Sequence, residues 1–384
     1  MTLPPLHLLI GSYTPTGGGN ATGISILDGD VVSTVAVLDD PSFLAVDGDR
    51  VYAVSETIDG GVHAFRRSGS ALEHLWDAPA GGDAPCHVRV DPSGALVVTN
   101  YVSGTVTAVS LLAAEAYASS SAGAAAGGGQ GAGPGAGAGV GAGVDAGASA
   151  AVHGVAGQGA GVSAVLPDAA LATEVLPDAT GPDEDRQEGP HAHQSIATPD
   201  GTVLVADLGG DALHEFRISA DTGSVSIEPL RVHHVTPGAG PRHMAWVDRD
   251  LIVAGELDGR VYRLRRDESG SFREVCATSV LDGPDVPSLL SHIEVDERGL
   301  VTVAVRGRDQ IVVLETADDG LQVVGTASAG GVWPRHFARV PGYLLVANQM
   351  SDAVAVLPVG DDGVPGEAVG QIAVGSPACI IPLG

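Results

Sequence analysis

Short aliphatic runs that end in a polar cluster recur along this chain: Val51–Ser55, Leu96–Thr99, Val203–Ala206, Leu251–Ala254, Val301–Val305 and Leu344–Ala347. Turns such as Asp91-Pro92-Ser93-Gly94 and Pro199-Asp200-Gly201 precede them. Alternating runs follow them, as in Thr105–Ser110, Ala212–Arg217, Arg260–Leu264, Gln310–Leu314 and Ala353–Leu357. Strand, turn, strand, Gly/Asp turn, strand is the grammar of a four-stranded antiparallel blade. Ahead of the aliphatic runs stands a phrase written seven times: Pro41-Ser42, Pro85-Cys86-His87, Pro190-His191-Ala192-His193, Pro241-Arg242-His243, Ser291-His292, Pro334-Arg335-His336 and Pro377-Ala378-Cys379. A repeat of about 40–50 residues made of short strands predicts a propeller. Seven copies predict an all-β, seven-bladed β-propeller. Leu8–Tyr13 and Pro377–Ile381 together supply one blade, so the two ends close the ring and leave no open edge.

The polar markers Glu56, Asn100, Asp207, Glu256, Arg306 and Asn348 are separated by 44, 107, 49, 50 and 42 residues. The long gap coincides with residues 113–163, which are largely Ala, Gly and Ser. Such a segment cannot bury enough apolar surface to fold. It is expected to be a disordered insertion in an outer loop of the third blade, within a single domain spanning residues 1–384.

Charge narrows the partners. The chain has 47 acidic residues against 19 basic ones, for a formal net charge of -28, and every basic residue is Arg. Without lysine there is neither Schiff-base chemistry nor a P-loop lysine. The acidity argues against nucleic acid and anionic membranes as partners. Three scattered cysteines make neither a disulfide framework nor a zinc ribbon. With no secretory core at Leu6–Ile10 and no apolar stretch of membrane-spanning length, the expected home is the cytoplasm.

Aligning the copies on their turns stacks residues at two levels around the central channel. Cys86, His193, Arg242, Ser291, Arg335 and Ala378 lie at the entrance of the innermost strand, and Glu56, Asn100, Asp207, Glu256, Arg306 and Asn348 at its exit. Arg242, Arg306, Arg335, His193 and Glu256 vary in type from blade to blade, which a purely structural repeat would not do. They read as an anion site with acid–base groups beside it. Asn100, Asp207 and Asn348 are either site residues or turn caps, and His87, His243, His292 and His336 read as structural. Oxygen ligation of calcium by Glu56, Asn100, Asp207 and Glu256 is a weaker alternative. His191-Ala192-His193 lacks the companion ligands of a zinc site, and no Ser stands in a nucleophile-elbow context.

These phrases resemble those of the lactonase family of seven-bladed propellers, which includes 6-phosphogluconolactonases and muconate lactonizing enzymes. The resemblance is carried by Ile10-Gly11-Ser12-Tyr13-Thr14, Thr99-Asn100-Tyr101-Val102-Ser103-Gly104, Arg186–His193, Gly240-Pro241-Arg242-His243, Gly255-Glu256-Leu257 and Ala347–Asp352. It covers the chain outside residues 113–163. By motif it places a functional His on His191 or His193, a Glu on Glu256 and Arg residues on Arg242 and Arg306. Gly255 stands where the family usually has Asn, and Ala304-Val305 where it usually has Ser-Asn. The resemblance implies a cofactor-independent lactonase, without a metal, acting on a small anionic sugar lactone, with 6-phosphogluconolactone of the pentose phosphate pathway the leading candidate. Glu256 and His193 would then share the acid–base work. Arg242 and Arg306 would hold the oxyanion or a carboxylate, and Arg335 a phosphate. His191, Asn100, Asp207 and Asn348 would complete substrate binding. The alternatives are a muconate-type cycloisomerase at the same site and a non-catalytic binding propeller.

Overall fold

The computed structural model describes residues 5–127, 166, 168–283, 286–318 and 320–383. Seven four-stranded antiparallel sheets follow one another around an axis. Blade one takes its innermost strand, Pro377–Pro382, from the C-terminal end and the other three, beginning with His7–Ser12, from the N-terminal end. The innermost strands of blades two to seven are Leu44–Asp47, Pro85–Val90, Ala192–Ala197, Pro241–Val247, Leu289–Val295 and Pro334–Val340. Each touches the next around a closed ring, blade seven meeting blade one.

Burial explains the two sequence patterns. The second strands Ala95–Asn100, Asp250–Gly255, Val301–Arg306 and Tyr343–Asn348 are buried along their whole length. Covered on both faces by neighbouring blades, they read as continuous aliphatic runs. Outermost strands such as Gly320–Ser328 face solvent on one side and alternate.

The insertion joins the third and outermost strands of blade three. Its first part corrects the expectation of disorder: Leu111–Gly127 is helical. The Ala-rich stretch has high helix propensity. Ser110 Oγ accepts the Ala113 N–H at 3.3 Å as a cap. Ala113 and Ala114 are buried in a cluster with Trp76 and Leu96, and Arg50 Nε meets Glu115 Oε1 at 2.9 Å. Residues 128–163 of the expected insertion lie outside the described residues.

One irregularity sets up the channel. Innermost strands of blades three to seven slip register where they begin, at Pro85/His87, Ala192/Ser195, Pro241/Met244, Leu290/Ile293 and Pro334/His336. A regular strand points successive side chains to opposite faces, and a bulge breaks that rule. Successive residues such as Arg242 and His243, or Arg335 and His336, therefore both reach the axis, one above the other.

Candidate active site

The second strand of each blade returns to the end of the channel where the innermost strand begins, so both expected levels meet at one mouth. The level that faces the axis consists of Tyr13, Glu56, Tyr101 and Glu256, each immediately after a second strand, and Arg306, the last residue of one. Strand pairing shows the offset: Pro85 faces Asn100, Ala192 faces Asp207, Pro334 faces Asn348, but Pro241 faces Gly255. Asn100, Asp207 and Asn348, expected in substrate binding or as turn caps, thus sit one residue short of the Glu256 position. All three are fully buried. Asn100 Nδ2 donates to the Ala80 carbonyl at 2.8 Å, and Asn348 Nδ2 to that of Ala329 at 2.9 Å. Asp207 Oδ1 accepts the His191 and Gly210 N–H groups at 2.7 and 3.0 Å. Each fastens a blade junction. Gly255 departs from this pattern for a packing reason: a Cβ there would lie 2.5 Å from Asp258 Oδ1 and 2.9 Å from Tyr262 Cε2.

Glu256 is the hub. Its Oε1 accepts from Arg186 Nη2 at 2.7 Å, and its Oε2 lies 2.9 Å from Arg242 Nε and 3.0 Å from Arg306 Nη2. Burial alone would raise its pKa, but Arg306, Arg242 and Arg186 outweigh burial and lower it to about 2. Arg242 is itself lowered to about 9, first by burial and then by repulsion from Arg306, and stays charged at neutral pH. Arg306 also donates to the Leu290 carbonyl at 2.9 Å, and its guanidinium lies 5.4 Å from the Trp333 ring centre. Trp333 holds a left-handed backbone, φ 65°, which is strained for a bulky aromatic residue.

A second group stands in the same pocket. The Tyr13 hydroxyl donates to Glu56 Oε2 at 2.7 Å and accepts from Arg335 Nη2. Arg335 lies 4.8 Å from the Tyr13 ring centre and 3.9 Å from Glu56 Oε1. The pocket, walled by Tyr13, Glu56, Cys86, His193, Arg242 and Arg335, has room for about one water molecule, about 10 Å³. Arg242 Nε and Nη1 are buried there without a hydrogen-bond acceptor, the 2.9 Å approach of Nε to Glu256 being poorly aligned.

The structure therefore brings Arg242, Arg306, Arg335, Glu256 and His193 to one mouth. His193 is buried and its imidazole is held neutral, first by burial and then by Arg242, Arg335 and Arg306. Its Nδ1 lies 3.9 Å from the Cys86 sulfur, whose thiol burial pushes up and keeps protonated. His191 is not among the residues that wall this pocket. It stacks on Tyr101 at 4.4 Å between ring centres and donates from Nδ1 to the Tyr101 carbonyl at 3.0 Å. Below the arginines lies a floor of rings: the buried His87, His243, His292 and His336 and the partly buried Phe43. His292 stacks on His336 at 3.9 Å, and His243 Nδ1 meets His292 Nδ1 at 3.0 Å.

The aligned phrases singled out none of Tyr13, Tyr101 and Arg186 as a site residue. The signal for Tyr13 and Tyr101 was position: each follows a second strand as Glu256 does. Arg186 comes from the loop between blades three and four, outside the repeat. Among the described residues, no group of three or more His, Cys, Asp or Glu converges as a metal site. Of the oxygens considered for calcium, those of Glu256 face arginines and those of Asp207 face backbone N–H groups and His214. No described helix is long and apolar enough to cross a membrane.

Comparison with known proteins agrees with this architecture. The sequence profile of the family described as "Lactonase, 7-bladed beta-propeller" matches residues 7–141 and 147–382. A 6-phosphogluconolactonase of Bacillus subtilis is 28% identical over 370 residues, covering 88% of this chain and 87% of that protein. A putative 6-phosphogluconolactonase from Bacteroides fragilis superposes with a TM-score of 0.74 at 23% identity, covering 99% of this chain and 98% of that one. A periplasmic gluconolactonase from Pseudomonas aeruginosa gives a TM-score of 0.74 at 22% identity, covering 99% of both. These two superpositions bear on the fold alone.

Proposed function

The chain belongs to the lactonase family of seven-bladed β-propellers, and on that premise we propose that it hydrolyses an acidic sugar lactone, 6-phosphogluconolactone to 6-phosphogluconate, at the mouth around Glu256. One observation carries the reading. Arg242 is 3% exposed, lines the pocket and carries N–H groups, at Nε and Nη1, that lack a hydrogen-bond acceptor. A buried unsatisfied donor costs about 1–3 kcal/mol, more when charged, and is explained by a ligand that satisfies it. An oxygen that gains negative charge during reaction is such a ligand.

Charge favours an anionic substrate. Arg186, Arg242, Arg306 and Arg335 face Glu56 and Glu256, leaving two positive charges in excess within a chain of net charge -28. A phosphate carries nearly two negative charges at neutral pH. The floor admits only a small polar group, so the carbonyl would point inward and the sugar body would lie across the mouth. Arg242, with Arg306 behind it, would hold the developing oxyanion, and Arg335 the phosphate. Glu256, fully paired, and His193, neutral and buried, would shape the site. A phosphorylated substrate would place the protein in the cytoplasm and in the pentose phosphate pathway, with no cofactor required.

The test follows 6-phosphogluconolactone by NMR with purified protein against buffer alone. Faster loss of lactone supports the reading, and loss at the buffer rate contradicts it. Closure of a muconate by the same protein would instead favour a cycloisomerase. Binding of substrate without turnover would favour a binding propeller.

A further inference from the structure

Glu256 is poorly placed to accept a proton. Both of its oxygens meet guanidinium groups, and it is not among the residues lining the pocket. The carboxylate that does line the pocket is Glu56. Among the described residues its Oε2 alone accepts a hydrogen bond, from the Tyr13 hydroxyl at 2.7 Å. Oε1 lies 3.9 Å from Arg335, beyond hydrogen-bond range, and its side chain is 18% exposed, within reach of water. Tyr13 in turn accepts from Arg335, so its hydrogen is directed at Glu56 and the carboxylate is held in one orientation. The same pocket contains the unpartnered N–H groups of Arg242. A free carboxylate oxygen and an empty set of oxyanion donors on one small pocket are the two halves of an ester-hydrolysis site.

We propose that Glu56, oriented by Tyr13, is the general base of lactone hydrolysis, and that Glu256 instead organises the arginines; the assignment rests on the lactonase reading above. Glu56 Oε1 takes a proton from a water as the water oxygen bonds to the lactone carbonyl carbon. The carbonyl π pair moves onto its oxygen, facing Arg242. Collapse re-forms the C=O bond and breaks the bond to the ring oxygen, which takes the proton back from Glu56. The product is a hydroxy acid, which ionises and releases one proton to solvent. No oxidant, metal or covalent intermediate enters the balance.

The experiment measures kcat and KM on 6-phosphogluconolactone, above the buffer rate, for the full chain and for Glu56→Gln, Glu56→Ala and Tyr13→Phe. Glu56→Gln keeps the shape and the bond from Tyr13, and should lower kcat by about 100-fold or more with KM little changed. Formate should restore part of the rate to Glu56→Ala but not to Glu56→Gln, which a merely structural role would not produce. Tyr13→Phe retains the ring beside Arg335 and should lower kcat by a smaller factor, giving a readout independent of how the Glu56 variants fold. An active wild type whose Glu56→Gln variant keeps its kcat overturns the assignment while leaving the lactonase reading intact. A wild type no faster than buffer overturns the reading, and the assignment with it.

Discussion

Arg186 Nη2 donates to Glu256 Oε1 at 2.7 Å, joining the loop between blades three and four to the end of a strand in blade five. A residue from outside the repeat thus completes a hub whose other arginines, Arg242 and Arg306, come from blades five and six. The one carboxylate offsets part of the desolvation and mutual repulsion of the three guanidinium groups.

Glu256→Gln should therefore be costly to stability, since it leaves three buried or part-buried cations facing one neutral amide. Breaking a buried pair by removing one partner costs about 3–5 kcal/mol. Urea unfolding should show this loss, and inorganic phosphate should stabilise the variant more than the wild type. Equal stability of the two proteins would mean that Glu256 is not the hub.

Asn100→Ala and Asn348→Ala should separate structure from function. Each removes a donor to a blade-junction carbonyl and leaves that buried carbonyl unpaired. The expected cost is about 1–3 kcal/mol of stability, with kcat and KM on the lactone unchanged. A raised KM at full stability would return these residues to the substrate site.

The channel floor predicts acid lability. His87, His193, His243 and His336 are held neutral well below their ordinary 6.5, and His292 is lowered to about 3, in each case first by burial. Below 6.5 the unfolded chain takes up protons that the folded chain refuses. Stability is therefore fully present above pH 6.5 and lost as pH falls, by up to about 1.4 kcal/mol per pH unit for each histidine. Glu256 has the same sign, its contribution being lost between its ordinary 4.5 and about 2. Thermal melts from pH 8 to pH 4 should show a steep decline beginning near pH 6.5. A flat profile down to pH 5 would contradict the neutral floor.

Arg335→Ala should discriminate between substrates. If its guanidinium holds a phosphate, kcat/KM should fall by about 10- to 100-fold for the phosphorylated lactone, the worth of a hydrogen bond to a charged group, and far less for gluconolactone. Equal losses on both would place Arg335 at the reacting carbonyl or in the scaffold.

The repeat was legible because turn residues and buried strands obey local rules: Asp91-Pro92-Ser93-Gly94 is a turn wherever it stands, and Val301–Val305 is aliphatic because both of its faces are covered. The site was legible in part for the same reason. Arg242, Arg335 and His193 share one position in the repeated phrase, and a bulge brings that position to the axis. Asn100, Asp207 and Asn348 stayed open between site residue and turn cap because composition marks a polar strand end but not which residue of the end turns inward. A one-residue offset separates a junction clamp from a site group, and only pairing with the neighbouring strand reveals it. Arg186 and the Tyr13–Glu56 contact depend on loops and blades far apart in sequence, which no local pattern encodes. The helix at Leu111–Gly127 shows the same limit, since its Ala-rich composition serves a helix as well as a disordered segment until Ala113 and Ala114 find a core.

The unpartnered N–H groups of Arg242 are the proposed reaction centre of a lactonase. The most direct test is kcat/KM for 6-phosphogluconolactone, by NMR, for the wild type beside Arg242→Met, which keeps the apolar stem and removes the donors. Loss of an oxyanion donor costs about 100- to 1,000-fold, so the wild type should hydrolyse the lactone well above buffer and the variant should fall by at least that factor while remaining folded. A folded Arg242→Met protein that matches the wild-type rate would contradict the account.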